Sequence, residues 1–112
     1  MKLHTEQFFR CLADPLRLNI VLMLMHEGEL CSCDLAQALD EKLSTVSRHL
    51  VLLRNKGVVK ERRCELWLYY EIDQSLPLWA QQVLETVFDG NQERAMQLSL
   101  EVPVVNSRHS CL

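Results

Sequence analysis

No stretch of this chain stays apolar long enough to span a bilayer. The longest run, Ile20 to Met25, falls far short of the roughly 20 residues a membrane helix requires. The opening residues, Met1-Lys2-Leu3-His4-Thr5-Glu6, lack the apolar core of a signal peptide, so a cytoplasmic location and no membrane partner are expected. Neither an internal repeat nor a low-complexity segment is present. No Ser/His/Asp constellation and no phosphate-cradling loop is found, and His4, His26 and His109 have no ligand-like spacing. These absences argue against an enzyme and against an organic cofactor. One enzymatic alternative survives them, a small thiol enzyme using Cys31 and Cys33, with His26 near the pair in sequence.

What is present is an ordinary globular composition. The 112 residues are 48% apolar and 24% charged, enough for one domain with a core, near the lower end of the usual size range. Five cysteines is an odd number, and in a reducing compartment free thiols tend to be metal-binding, redox-active or simply buried. The formal charge of −3 argues mildly against nucleic-acid binding, but the distribution of charge argues for it. From Lys42 to Arg63, seven cations (Lys42, Arg48, Arg54, Lys56, Lys60, Arg62, Arg63) face one anion, Glu61, a local charge of +6 against −9 elsewhere. A compact basic stretch on an acidic body is the electrostatic footprint of a small DNA reader.

Periodicity places this stretch on a recognisable scaffold. Phe8, Phe9 and Leu12 predict a first helix over Thr5 to Ala13. Asp14-Pro15 is a helix start, with Asp as N-cap and Pro at the first position; the apolar residues from Leu16 to Met25 make a largely buried helix that stops at Gly28. A short helix to Leu39 begins around Leu30 to Cys33, and a turn over Asp40 to Leu43 leads into a helix from Ser44 to Asn55, with Val46, Leu50 and Leu53 on its inner face. That succession predicts a helix-turn-helix. Val58–Arg62 and Leu66–Ile72 then read as a hairpin with its tip at Arg63-Cys64-Glu65, which has neither Gly nor Asn. Pro77 opens a helix to about Phe88, a further helix is expected over Gln92 to Leu100, and Pro103 to Leu112 reads as a loose tail. The expected fold is therefore mainly α with a small β-hairpin, a winged helix-turn-helix. Residues 1–90 are expected to form the DNA-binding and dimerisation domain, and 91–112 a partly flexible C-terminal helix and tail.

A helix lying in the major groove presents the side chains of its N-terminal turns to base edges, and Ser44, Thr45, Ser47, Arg48 and His49 suit that task. Lys60, Arg62 and Arg63 on the hairpin would lie along the phosphate backbone as a wing, adding salt-sensitive affinity. Use of the same helical pair for protein contact is the alternative. Such readers usually bind as two-fold dimers, and the apolar surfaces of the first helix and of Trp79 to Phe88 are the expected homodimer faces.

Beside this half stands a pair of thiols, Cys31 and Cys33, flanking Ser32 at a helix start, where the macrodipole is expected to favour thiolate. Thiolates select soft ions. With both residues on a helix their side chains would sit about 200° apart at about 3.6 residues per turn, so holding one ion would unwind the first turn. Because this short helix positions the reading helix, ligand binding and DNA binding would be antagonistic. Cys11, between Arg10 and Leu12, reads more simply as a buried small hydrophobe.

In combination, Leu12-Ala13-Asp14-Pro15-Leu16-Arg17-Leu18, Glu29-Leu30-Cys31-Ser32-Cys33-Asp34-Leu35, Ser47-Arg48-His49-Leu50, Leu53-Arg54 and Pro77-Leu78-Trp79-Ala80 carry a resemblance. From about Gln7 to Ala80 the chain resembles the ArsR/SmtB family of bacterial metal-responsive repressors, particularly its arsenic-sensing branch. The resemblance implies a homodimer that represses a metalloid-resistance operon and leaves operator DNA when As(III) or Sb(III) binds cysteine thiolates, Cys31 and Cys33 first. Members of that branch often carry a third cysteine three residues after the second, where this chain has Ala36. Trivalent arsenic favours three sulfurs; Cys111 on the tail, Cys11, Cys64 and an exogenous thiol are the candidates for the third, with Cys111 preferred to Cys11, unless the third is absent. Cadmium- and lead-sensing relatives pair the same two cysteines with N-terminal ones on a longer arm, an alternative that Cys11 keeps open. Zinc-sensing relatives use carboxylates and histidines on the last helix, but Trp79 to Phe88 contains no His. A repressor whose thiols oxidise instead of binding metal is the remaining alternative.

Overall fold

A computed structural model describes residues 3–103. The chain forms α1 (Thr5–Ala13), α2 (Pro15–Glu27), β1 (Glu29–Cys31), α3 (Ser32–Leu39), α4 (Leu43–Asn55), β2 (Val59–Cys64), β3 (Trp67–Ile72), α5 (Leu78–Asp89) and α6 (Gln92–Ser99). No helix among the described residues is long and apolar enough to cross a membrane. The expected tail from residue 104 onward, Cys111 included, lies outside the described residues.

The central helix is α2. Asp14 caps it as expected, its carboxylate accepting the Arg17 backbone N–H at 3.0 Å, with Pro15 in the first turn. Ile20 to Leu24 are all buried, so the helix is apolar on every side and must be surrounded, which is why α1, α4 and α6 pack on it. It ends where Gly28 takes φ +92° and returns its N–H to the Leu24 carbonyl at 2.7 Å, a conformation that disfavours residues with a Cβ.

The helix-turn-helix is formed by α3 and α4. Between them Asp40 adopts the left-handed conformation, φ +53°, and its N–H closes the end of α3; aspartate is one of the few residues to visit this region routinely. The reading helix starts at Leu43, one residue earlier than expected, and seats Val46, Leu50 and Leu53 fully in the core.

The sheet departs from expectation. Glu29–Cys31, read as the approach to the short helix, is instead a strand, giving a three-stranded antiparallel sheet in the order β1-β3-β2. Three residues are too few for a period-2 pattern to declare itself, and the partner strand lies some forty residues downstream. The hairpin tip also shifts. Cys64 pairs with Trp67, so Arg63 and Cys64 belong to β2 and the turn is Glu65-Leu66, with Glu65 at φ +57°. A two-residue hairpin turn requires positive φ, and here a glutamate supplies it where glycine or asparagine is usual.

Candidate functional site

The outer face of α4 begins with Leu43, Ser44 and Arg48, all exposed, while Thr45, Ser47 and His49 are half-buried. His49 differs from the rest. Its Nδ1 lies 3.2 Å from Nη1 of Arg17, a guanidinium also tied to the carbonyls of Cys11 (3.0 Å) and Arg10 (3.2 Å). Since arginine only donates, Nδ1 accepts, which puts the proton of the neutral ring on Nε2. His49 thus fastens the reading helix to the junction of α1 and α2. Arg17 was not among the expected site residues; its sequence signals were its place in the first turn after Asp14-Pro15 and in the Leu12–Leu18 motif.

In the wing, Lys60 and Arg63 are exposed and have no ion pair among the described residues. Arg62 is engaged inward. Its Nε and Nη2 donate to the two carboxylate oxygens of Glu29 at 3.1 and 2.9 Å, and its guanidinium lies 4.7 Å over the Tyr69 ring. This fork holds the Glu29 carboxyl below its usual range. Glu61, the lone anion of the basic stretch, accepts from Tyr70 Oη at 2.6 Å and from Arg54 Nη1 at 3.1 Å, binding the end of α4 to the sheet. Burial, reinforced by the Glu61 carboxylate, pushes the Tyr70 phenol up and keeps it a donor.

Cys31 is fully buried, the last residue of β1 and the N-cap of α3, with extended backbone at φ −75°, ψ 145°. Cys33 is half-buried in the first turn. Because Cys31 precedes the helix, the expected 200° separation does not apply. With α3 fully wound, Cys31 lies near enough to Cys33 to raise its thiol. The expected thiolate is corrected as well for Cys33. Burial first, then the adjacent Cys31 and Asp34, raise its thiol, outweighing the backbone N–H at the helix start that favours the thiolate.

Among the described residues no set of three His, Cys, Asp or Glu side chains is placed to hold a metal ion. Cys11 is not brought to the pair. It is buried beside Gln7, Arg10, Arg17, Leu52 and Lys56, and burial raises its thiol against the pull of Arg17 and Lys56. Cys64 ends β2, opposite Trp67.

On α1 and α5 an apolar face is left uncovered, with Phe9 49%, Leu78 68% and Trp79 36% exposed. Phe8 bridges the two helices, its ring edge-on to Phe9 at 5.5 Å and to Trp79 at 5.3 Å.

Known proteins share this arrangement. Residues 14–61, from the α2 cap through the reading helix into β2, match the family described as bacterial regulatory protein, arsR family. The chain is 40% identical over 92 residues to the arsenical resistance operon repressor of Escherichia coli, covering 82% of this chain and 79% of that protein. It is 42% identical over 85 residues to the arsenic resistance transcriptional regulator ArsR1 of Pseudomonas putida, covering 76% and 66%. Among solved structures, the AntR antimony-specific transcriptional repressor superposes with a TM-score of 0.64 at 28% identity, covering 80% of this chain and 78% of that one. The homodimeric winged helix-turn-helix DNA-binding domain of Mb0332 from Mycobacterium bovis superposes at 0.62 with 27% identity, covering 79% and 78%. These relatives are transcriptional regulators and not enzymes. With the winged helix-turn-helix fold and an arsenical-operon repressor aligned over most of both chains, this chain belongs to the ArsR family of bacterial transcriptional repressors.

Proposed function

We propose that this chain is a homodimeric repressor of a metalloid-resistance operon that leaves its operator when As(III) or Sb(III) binds Cys31 and Cys33. The observation that carries this reading is the placement of two neighbouring thiols at the junction of β1 and α3, the helix packed directly against the reading helix. The fit is to a soft, thiophilic ion: two sulfurs lie near each other, and among the described residues no set of three His, Cys, Asp or Glu side chains surrounds a harder one. They supply two of the three sulfurs a trivalent metalloid prefers, and Cys111 or an exogenous thiol supplies the third. When bound, such an ion draws two or more sulfurs to fixed bond lengths and angles.

The rest is done by the chain. Moving Cys31 and Cys33 onto one centre displaces the first turn of α3, whose Leu35 and Ala36 are buried in the same core as Val46 and Leu50 of α4. A close-packed core transmits that shift. A coupling of about 1–3 kcal/mol would lower DNA affinity about 5–150-fold. Ser44, Thr45, Ser47 and Arg48 read the groove, Lys60 and Arg63 hold phosphate, and the Phe9, Leu78 and Trp79 face meets its copy in a second protomer.

A redox reading has one observation in its favour, since neighbouring thiols are also what an oxidant needs to make a disulfide. Fluorescence anisotropy of the reduced protein on its upstream promoter DNA separates the two. Arsenite is expected to release the wild type and to leave Cys31→Ser and Cys33→Ser bound. Release by a mild oxidant alone would favour the redox switch, release by cadmium or lead alone would move the ligand class, and failure to bind DNA under any condition would end the proposal.

A further inference from the structure

The register of the sheet sorts its side chains onto two faces. Leu30, Tyr70 and Glu61 form one cross-strand row, on the face turned to the core with Val59 and Ile72. Cys31, Tyr69 and Arg62 form a row on the opposite face, followed on that face by Glu29, Glu71 and Lys60. The first ligand thiol and Arg62 therefore end the same row, on strands that do not touch, because β3 lies between them. Arg62 crosses that gap. Its guanidinium passes over Tyr69 and forks onto Glu29, two residues before Cys31. One ion pair thus joins the thiol-bearing strand to the outer wing strand, whose Lys60 and Arg63 face solvent.

We propose that Glu29 and Arg62 form a latch that makes the wing follow the thiol-bearing strand, so that Arg62 positions the wing instead of binding phosphate. This rests on the reading of Cys31 and Cys33 as the arsenite site and adds to it a second route, through β1 and β2, beside the one through α3 and α4. Movement of Cys31 onto a metalloid shifts the end of β1. Glu29 moves with it, and the fork carries the shift to β2 and to the phosphate-facing cations. The pair is partly exposed, with side-chain exposures of 39% for Arg62 and 26% for Glu29, so its loss alters coupling more than stability.

The two roles open to Arg62 predict opposite signs when its partner is removed. Wild type, Glu29→Ala, Arg62→Met and the double variant are titrated onto promoter DNA across a salt series, with and without arsenite. Arsenite uptake is followed separately by calorimetry, and thermal unfolding checks each fold. All four are expected to take up arsenite. Arsenite should weaken wild-type DNA binding by about 5–150-fold and either single variant at least about fivefold less, the usual floor of a resolvable coupling. The double variant should match the singles, because both remove one interaction. Glu29→Ala should keep the wild-type slope of log affinity against log salt. Tighter DNA binding by Glu29→Ala, with a slope steeper by about one, would mean that Arg62 had been released to a phosphate, and would overturn the latch. Variants as arsenite-responsive as wild type would overturn the latch while leaving the thiol reading intact, whereas a wild type that takes up no arsenite would overturn both. Should Glu29→Ala unfold, Glu29→Gln removes the charge while keeping the side chain's shape, and the same outcomes apply.

Discussion

The reading helix and the wing draw on one basic stretch and use it in different ways. On α4 Ser44, Arg48 and Val51 are exposed, while Val46, Leu50 and Leu53 are buried, an alternation set by the helical period. In the wing the alternation is not enough. Arg62 and Glu61 fall on opposite faces, yet both are taken up by partners from other elements, Glu29 on β1 and Arg54 on α4. A count of cations thus overstates the free charge wherever a cation lies next to an oppositely charged side chain of a neighbouring element and becomes part of the scaffold, as Arg62 does in the wing and Arg54 at the end of α4.

Three measurements break or sharpen this contrast. The largest effect is expected from Leu50→Ala, which removes a fully buried side chain holding the reading helix to the core. A loss of about 2–5 kcal/mol by urea unfolding should follow, with DNA binding falling alongside it. A change below about 1 kcal/mol would mean the site collapses around the gap and that α4 is less firmly seated than its burial implies.

Next comes a direct comparison of Arg48→Ala with Lys60→Ala. On the groove-reading face, Arg48→Ala should cost about 1–3 kcal/mol and relax the preference for one base, read from binding to a panel of singly altered promoter DNAs. Lys60→Ala should weaken binding evenly across that panel and lower the salt slope by about one. Equal, sequence-independent losses in both would erase the proposed division of labour.

The smallest effect concerns the support beneath the helix. Asp14→Ala removes the cap of α2 beside Arg17 and should cost about 1 kcal/mol near neutral pH. The amide of Arg17 holds the Asp14 carboxyl below its ordinary range. A depressed folded pKa means the stabilisation is fully present above the unfolded value of about 3.9 and is lost as pH falls through the folded one. The gap between wild type and variant should therefore begin to close only as pH falls below about 4 and vanish once pH has passed the depressed folded value. A gap that persists in acid would assign the cost to packing and not to the charged cap.

The elements legible in the sequence are those written in neighbouring residues. Asp14-Pro15 and Gly28 mark the ends of α2, and Val46, Leu50 and Leu53 mark the inner face of α4, because capping and helical period act over three or four residues. The first three residues after Gly28 escape local pattern, since a strand that short exists only through its partner. The thiol pair is legible as a pair, but its geometry is not. Assigning Cys31 to a helix predicts sulfurs on opposite sides, whereas its place at the end of β1, with extended backbone, frees it from that spacing and leaves it near enough to raise the Cys33 thiol.

By itself, then, the sequence determined the helix-turn-helix, the basic segment and the presence of two thiols beside it, all properties of local spacing and residue type. Only the tertiary structure decided that β1 completes the wing sheet, that His49 is held by Arg17 and that Arg62 is held by Glu29. The physical reason is range. The last two partners lie 32 and 33 residues apart, and a charged side chain's partner at that separation is set by how strands and helices pack, which no local pattern encodes.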